Sequence, residues 1–190
     1  MAVLYGHVGN NFTVHTARHN HRNLKGIIDP SFENARPGIL EGWVDYALEI
    51  SVIVARGMDG EIVSYVPVEN RHVNHILDTT IAPAGVPPGV AAGAGSIARR
   101  AAEALDVVGL LAVEMFVTWD GAVLVNEIAP RPHNSGHWTI DACAISQFQQ
   151  LVRAICGLPL GSTERHSDAE MKNLIGDDVE AWPRFHVISN

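Results

Sequence analysis

The residues with the clearest chemical potential lie in one short run, N-E-I-A-P-R-P-H-N-S-G-H-W, at positions 126–138. The run combines a carboxylate, a guanidinium, two imidazoles, two side-chain amides and a hydroxyl, and two prolines stiffen it. Apolar segments flank it on both sides. Polar side chains placed between two apolar segments in this way are typical of a binding or catalytic loop held by a rigid scaffold.

Two carboxylates are predicted to face each other across a hairpin that leads into this run. The dipeptide Asp120-Gly121 is a favoured two-residue hairpin turn. With these residues at the centre of the turn, Glu114 lies directly opposite Glu127 on the same face. Like charges so placed destabilise a sheet, by about 1 kcal/mol in water and about 4 kcal/mol at an effective dielectric of about 20. A folded protein keeps such a pair where one carboxylate is protonated or where a cation lies between them.

The glutamate pair is interpreted as a magnesium site. Oxygen ligands without a nearby cysteine favour a hard cation, and Mg²⁺ typically binds one or two carboxylates together with phosphate oxygens. The alternative is a solvated pair at the edge of a sheet, which the apolar neighbours on both strands disfavour. The interpretation depends on the register, because a slip of one residue would move one carboxylate to the other face.

The polar run also leads into a predicted helix. Asn134 or Ser135 can cap that helix, and free backbone N–H groups beside Ser135 and Gly136 would favour an anion. Arg131 and His133 add hydrogen-bond donors. The alternative is a capped helix after a proline-stiffened turn. Beside a magnesium pair, the set is interpreted as a cradle for phosphate or carboxylate.

The elements that must position these residues follow from the hydrophobic pattern. Helices are predicted over 90–106 and 138–156, and strands over 48–55, 61–68, 108–118, 122–128 and 171–175. Residues 69–84 are interpreted as irregular. Together these elements predict an α+β fold, in which helices pack against one side of an antiparallel sheet.

The composition argues against several classes of partner. The chain has 190 residues, 47 % of them hydrophobic and 18 % charged, which fits one globular domain or a lobe of a larger protein. A net charge of −8 argues against nucleic acid. No apolar run approaches the roughly 20 residues that span a bilayer, and no leader-like segment opens the chain. A cytoplasmic location without a membrane partner is therefore expected.

Residues 1–37 differ from the rest of the chain. They show no sustained apolar period and hold four of the ten histidines: His7, His15, His19 and His21. A His-rich tract can bind metal, but irregular spacing favours a poorly packed or disordered segment, whose amides we expect to exchange without protection. Residues 38–182 are expected to form the main domain, and residues 183–190 a tail.

Several segments together resemble one family of ligases. They are 41–57, 68–77, 80–84, V-E-M-F at 113–116, the run at 126–138, S-Q-F at 146–148 and R-A-I-C-G-L-P-L-G-S at 153–162. These segments resemble the 5-(carboxyamino)imidazole ribonucleotide synthases, ATP-grasp enzymes of purine biosynthesis. Other ATP-grasp enzymes share the strand glutamates but not the H-N-S-G-H-W continuation. The resemblance implies that 38–182 is the C-terminal lobe of an ATP-grasp domain.

The resemblance also implies a role for individual residues. Glu114 and Glu127 would be the magnesium ligands. The implied ATP-binding set is the adenine hinge Glu41, Gly42, Trp43 and Val44, the ribose acceptor Glu49, and the further contacts His72, Asn126 and Glu127. The implied catalytic loop, which would meet the ribonucleotide and bicarbonate, consists of Arg131, His133, Asn134 and Ser135.

The reaction of this family implies the substrates. The sequence also departs from the family in two features. In that reaction ATP phosphorylates bicarbonate to carboxyphosphate, and the amine of aminoimidazole ribonucleotide then captures the carboxyl group. The lysines and glycine-rich loop that the family places over the triphosphate, and its basic C-terminal segment, are not recognisable. The chain alone is therefore expected to bind weakly and not to complete the reaction. The alternatives are a non-catalytic remnant that binds ATP and magnesium, a homodimer, and a subunit completed by an N-terminal half.

Overall fold

The computed structural model describes residues 2–8, 11–17, 39–42, 44–176 and 179–180. The chain divides into two compact units, residues 1–45 and residues 46–190. The first unit holds three antiparallel strands in the order β2-β1-β3, which are β1 Ala2–Val8, β2 Asn11–Ala17 and β3 Ile39–Gly42.

The sequence predicts none of these three strands, and β1 and β2 lie within the segment 1–37 that was expected to pack poorly. The remainder of the first 38 residues and the predicted tail, 183–190, lie outside the described residues. How residues 1–37 pack, and the predicted boundary after residue 37, therefore stay predictions.

The second unit is built on a seven-stranded antiparallel sheet with the order β10-β7-β6-β4-β8-β9, in which β5 and β6 pair with successive parts of β4. Its elements are β4 Leu48–Arg56, β5 Ile62–Ser64, β6 Val68–Val73, β7 Ile76–Ala82, α1 Pro88–Ala104, β8 Gly109–Val117, β9 Val123–Ala129, α2 Thr139–Ala142, α3 Gln147–Ile155 and β10 Ala169–Lys172. This architecture confirms the predicted α+β class. No helix in the described part of the chain is long and apolar enough to cross a membrane.

Helices cover both faces of this sheet, whereas the sequence predicts helices on one side. On one face, the buried alanines of α1 pack against side chains such as Val52 and Val113. On the opposite face, Trp138 and residues of α2 and α3 cover side chains such as Ile53 and Ala112. The reason is that β4 and β8 bury almost every consecutive residue, so each strand needs a cover on both faces.

Residues 69–84, interpreted from the sequence as irregular, form most of a β-hairpin. Strands β6 and β7 pair antiparallel, and Val73 lies opposite Ile76 across a two-residue turn. The turn residues Asn74 and His75 have φ values of 50° and 64°, which a type I′ turn requires. The sequence signal for this hairpin was weak because charged and polar side chains interrupt the strands and the turn is Asn-His rather than Asn-Gly.

The turn between β8 and β9 differs from the predicted one. The N–H of Gly121 donates to the carbonyl of Thr118, and the N–H of Thr118 donates to the carbonyl of Ala122. Gly121 has a φ of 85°, so the loop has three residues and ends in a left-handed glycine. The pairing next to the turn, Val117 opposite Val123, is therefore shifted by one residue from the predicted register.

A β-bulge in the same hairpin restores the predicted pairing of the two glutamates. Met115 pairs with Val125 while Glu114 pairs with Glu127, which leaves Asn126 as the extra residue. The longer turn and the bulge shift the register by one residue each, in opposite directions. The predicted glutamate pair is thus confirmed, although the turn from which it was inferred is wrong.

The helix predicted over 138–156 is interrupted in its middle. Cys143 is extended and forms an isolated β-bridge with Arg165. Ser146 then caps α3: its Oγ accepts from the N–H of Gln149, and the Gln149 side chain accepts from the N–H of Ser146. This capping box starts a new helix where the sequence pattern suggested continuity.

Candidate functional site

The polar residues of the site share one face of the sheet in the second unit. On β4, Glu49 and Ser51 point to the same side, and their neighbours across the strands are Asn70 on β6 and Glu114 on β8. Thr80 on β7 pairs with Asn70. The remainder of this face is apolar and lies beneath α2 and α3. The polar cluster therefore occupies the end of a face that is otherwise hydrophobic core.

The two predicted magnesium ligands are brought together on this face. Glu114 lies directly opposite Glu127, and side chains at such positions share a face. Glu114 is partly buried, with 20 % of its side chain exposed, and its Oε1 lies 2.7 Å from Nε2 of His133. Glu127 is exposed.

The donor set fits a hard cation that brings other ligands of its own. It consists of carboxylate oxygens, and no group of three or more His, Cys, Asp or Glu side chains poised for a metal occurs among the described residues. Two carboxylates are as many as Mg²⁺ usually takes from a protein when phosphate oxygens and water complete its shell. The pair therefore suits magnesium bound together with a phosphorylated ligand.

The main chain of His133 is held by a buried amide. The Oε1 of Gln147 accepts from the N–H of His133 at 3.0 Å, and the Nε2 of Gln147 donates to the carbonyl of His133 at 2.8 Å. Gly136 makes room for this amide, because a Cβ at that position would lie 2.5 Å from Gln147 Oε1. The imidazole, 11 % exposed, is also bonded at both nitrogens, to Ser135 and to Glu114.

Asn134 and Ser135 do not cap a helix as predicted. They begin a 3₁₀ turn, Asn134–Gly136, whose N-cap is His133. The N–H of Ser135 donates to Nδ1 of His133 at 3.3 Å, and the N–H of Gly136 donates to the carbonyl of His133 at 3.0 Å. Because both N–H groups are used within the turn, the free pair predicted to attract an anion is not formed.

The other members of the loop are less constrained. Two buried side-chain polar atoms in the described part of the chain have no hydrogen-bond partner, and they are Asn134 Oδ1 and Trp138 Nε1. A buried acceptor left unpaired costs about 1–3 kcal/mol, so Asn134 is a candidate to meet a donor from a ligand. Arg131 is exposed and donates to the carbonyl of Pro132. Burial lowers the pKa of His137, which stacks on Phe148.

Glu49 and His72, both predicted to contact the nucleotide, form an ion pair. Nδ1 of His72 lies 2.6 Å from one oxygen of Glu49, and the hydroxyl of Tyr46 donates to the other at 2.6 Å. The ring of Tyr46 stacks on Phe116 with centroids 4.4 Å apart. The carboxylate is thus held in place, and lone pairs on its oxygens can still accept from a ligand hydroxyl.

The pair shifts the pKa of both members. Burial alone would raise the pKa of Glu49, but the hydrogen bonds from His72 and Tyr46 and the charge of His72 outweigh it, so that pKa is lowered. The hydrogen bond to Glu49 raises the pKa of His72 more than burial lowers it, and the charges of Glu49 and Glu114 add to the rise. The structure therefore favours the charged form of each.

The remaining predicted residues are Asn126 and the adenine hinge. Asn126 is the exposed bulge residue of β9. Glu41 and Gly42 end β3 and Val44 follows, all in the first unit, and Trp43 lies outside the described residues. The adenine hinge therefore stays a prediction.

Five residues that the sequence analysis did not assign to the site take part in it. Tyr46 bonds to Glu49, and Gln147 clamps His133. The other three, Ser51, Asn70 and Thr80, form a buried hydrogen-bonded set. One signal was available: Ser51 is a small polar residue two positions after Glu49 within an otherwise apolar strand.

Known proteins resemble this chain in sequence and in structure. The ATP-grasp domain family matches residues 15–148. The N5-carboxyaminoimidazole ribonucleotide synthase of Brucella melitensis is 52 % identical over 150 residues, which cover 79 % of this chain and 41 % of that protein. The chain thus spans less than half the length of this relative.

Two solved structures are also similar. One is an ADP complex of an N5-carboxyaminoimidazole ribonucleotide synthetase, with a TM-score of 0.83 and 40 % identity over 96 % of this chain and 48 % of that one. The other is the Aspergillus clavatus synthase in complex with ADP and 5-aminoimidazole ribonucleotide, with a TM-score of 0.75 and 38 % identity over 78 % of this chain and 42 % of that one.

Proposed function

The chain belongs to the ATP-grasp family, and we propose that it carries the magnesium-binding part of a ligase that carboxylates aminoimidazole ribonucleotide with bicarbonate and ATP. The observation that carries this proposal is the opposed pair Glu114 and Glu127, with His133 bonded to Glu114. The similar synthases, one of them solved with ADP and aminoimidazole ribonucleotide, support the choice of substrates.

The proposed roles follow from the position of each group. Glu114 and Glu127 would hold Mg²⁺, which would neutralise charge on the phosphate oxygens of ATP. Glu49, oriented by Tyr46 and His72, would accept from a hydroxyl of the nucleotide ribose. The bulge residue Asn126 and the hinge at 41–44 would add nucleotide contacts.

The loop at 131–135 would face the reacting groups. In the proposed reaction the γ-phosphoryl group of ATP passes to a bicarbonate oxygen and ADP leaves. The amine of the ribonucleotide then attacks the carboxyl carbon, and phosphate leaves with the electron pair of the broken bond and takes up the proton that the amine loses. Arg131 would supply donors to the anionic substrates and Asn134 an acceptor, whereas His133 would orient Glu114. Such transfers depend on positioning and charge neutralisation rather than on covalent catalysis by the protein.

The first test is nucleotide binding by the Glu127→Gln variant. This change removes one negative charge from the opposed pair, so we expect magnesium-dependent ATP affinity to fall on the order of tenfold or more while the fold is kept, because charge repulsion is also relieved. Glu103→Gln is the matched control, since Glu103 is an exposed residue of α1 with the same chemistry. Titration calorimetry with ATP and Mg²⁺ measures both.

A large fall in melting temperature with unchanged affinity would contradict the magnesium site. Turnover is scored separately, as ADP release that depends on aminoimidazole ribonucleotide and bicarbonate. It is measured for the chain alone and together with a chain that supplies the remaining length of the relatives. Binding without turnover in either mixture would favour a non-catalytic nucleotide-binding protein, and sedimentation of the same samples would test for a homodimer.

A further inference from the structure

A chain of hydrogen bonds crosses the covered face of the sheet and ends on His133. The hydroxyl of Thr80 lies 3.0 Å from Oδ1 of Asn70, and Nδ2 of Asn70 lies 2.9 Å from Oγ of Ser51. Oγ of Ser51 lies 2.7 Å from Oγ of Ser135, which is 2.8 Å from Nδ1 of His133. Asn70 is 7 % exposed and the three hydroxyl residues are fully buried. The roles proposed above do not use Thr80, Asn70 or Ser51.

The direction of each hydrogen bond follows from the His133 end. The backbone N–H of Ser135 can only donate, and it points at Nδ1 from 3.3 Å, so this nitrogen carries no proton. The Ser135 hydroxyl must then donate to Nδ1 as well. With its single proton used, Oγ of Ser135 accepts from the hydroxyl of Ser51. Ser51 in turn accepts from the amide of Asn70, whose carbonyl oxygen accepts from Thr80.

This assignment also fixes the opposite edge of the imidazole. A neutral ring without a proton on Nδ1 carries it on Nε2, and Nε2 lies 2.7 Å from Oε1 of Glu114. We propose that Thr80, Asn70, Ser51 and Ser135 are positioning residues that hold His133 as the Nε2–H tautomer, so that it donates to Glu114. These directed hydrogen bonds hold the imidazole ring of His133, and Gln147 holds its main chain.

The consequence concerns the carboxylate rather than the histidine. With Oε1 bonded to His133, Glu114 is fixed in orientation and keeps its other oxygen for a cation. Loss of an outer partner of this kind typically costs about 10–100-fold in metal affinity. The effect on metal binding rests on the proposed function, whereas the tautomer of His133 rests on the hydrogen bonds alone.

The test compares two variants of equal size at Ser51. Ser51→Thr keeps the hydroxyl, whereas Ser51→Val has the same volume without it, so any cost of crowding is shared. The full chain, labelled with ¹⁵N histidine and free of magnesium, is measured by long-range ¹H–¹⁵N correlation, which distinguishes a protonated from an unprotonated ring nitrogen. We expect native protein and Ser51→Thr to show a protonated Nε2 and a bare Nδ1 for His133. In Ser51→Val the Ser135 hydroxyl loses its donor, and the Nδ1 signal should move towards the protonated form.

A folded Ser51→Val protein with the native pattern at His133, or a native protein with a protonated Nδ1, would overturn the inference. If both Ser51 variants fail to fold, Thr80→Val and Thr79→Val decide. Both residues are buried, but the Thr79 hydroxyl bonds to Asp78, whereas the Thr80 hydroxyl bonds to Asn70. A shifted His133 pattern in Thr80→Val but not in Thr79→Val supports the inference, and equal patterns overturn it.

Titration of the same samples with ATP and Mg²⁺ separates this inference from the proposed function. If the ring pattern responds as expected but the native chain does not bind magnesium nucleotide, the positioning inference stands and the proposed function fails. If both hold, Ser51→Val should also lower the affinity on the order of tenfold relative to Ser51→Thr.

Discussion

At the scale of single residues, the side chains of Glu49 and His133 are already oriented in the structure. Both oxygens of Glu49 are bonded, both nitrogens of His133 are bonded, and Gln147 fixes the His133 main chain. A site held in this way loses little conformational entropy when a ligand binds, because the side chains are already oriented.

The Glu49–His72 pair should make stability depend on pH in a defined window. The pKa of His72 is raised, so its contribution is complete below about pH 6.5 and is lost as pH rises through the raised pKa. The pKa of Glu49 is lowered, so its contribution is complete above about pH 4.3 and is lost as pH falls through the lowered pKa. Both contributions are therefore present together between these limits.

Replacing His72 tests this dependence. The two side chains are 28 % and 22 % exposed, so solvent screens the pair and we expect His72→Gln to cost at most about 1 kcal/mol, or ~2–4 °C in melting temperature. The loss should be largest near pH 5–6 and shrink at higher pH. His75→Gln, at the exposed hairpin tip, is the control. An effect of His72→Gln that is constant from pH 5 to 9 would contradict the assignment.

At the scale of elements, the loop before α2 depends on one close approach. Gly136→Ala would place a methyl group 2.5 Å from the Gln147 amide, which is fully buried and bonded to His133. The amide must shift and weaken its two backbone bonds, so we expect a loss of roughly 1–3 kcal/mol in the free energy of unfolding. ATP affinity should fall as well, because His133 moves with the loop.

Gly95→Ala is the matched control and should change stability in the opposite direction. Gly95 lies within α1, and a Cβ there would meet no atom within 4 Å. Alanine costs less backbone entropy than glycine inside a helix, so a gain of about 0.5–1 kcal/mol is expected. Urea unfolding measures both variants. Equal losses at the two positions would show that the contact with Gln147 is not the cause.

At the scale of the whole molecule, we expect the protection of backbone amides against hydrogen exchange to depend on the position of each strand in the sheet of the second unit. Strands β4 and β8 are central and buried on both faces, whereas β9 and β10 lie at the edges, and β9 exposes Leu124, Val125 and Ile128. We expect amide hydrogen exchange to be slowest in β4 and β8 and faster by orders of magnitude in β9 and β10. Equal protection of β9 would contradict this order.

The same exchange measurement bears on the first 37 residues. The irregular composition predicts nearly unprotected amides there, whereas paired β1 and β2 would protect a subset of them. Protection of those two strands equal to that of β4 would show that the sequence was misleading about this segment.

Features that depend on neighbours along the chain or on chemically distinctive residues could be predicted without the structure. Strands β4, β8 and β9 and helix α1 were predicted within two residues of their observed ends, because apolar periodicity is local. The residue types in the run at 126–138 indicate a functional site, and its resemblance to a ligase family is visible in the sequence. Glu114 and Glu127 were also paired correctly, although through a turn and a bulge whose effects on the register cancel.

Which polar groups meet across the sheet could not be predicted from the sequence, because these contacts join distant positions. Ser51 and Ser135 are 84 positions apart, yet their hydroxyls lie 2.7 Å apart, and no local pattern encodes such a contact. The hairpin of β6 and β7 was missed because its strands are stabilised by pairing rather than by an apolar pattern. The break before α3 was missed in part because the bridge between Cys143 and Arg165 is a distant contact, although Ser146 and Gln149 of the capping box were a local sequence signal.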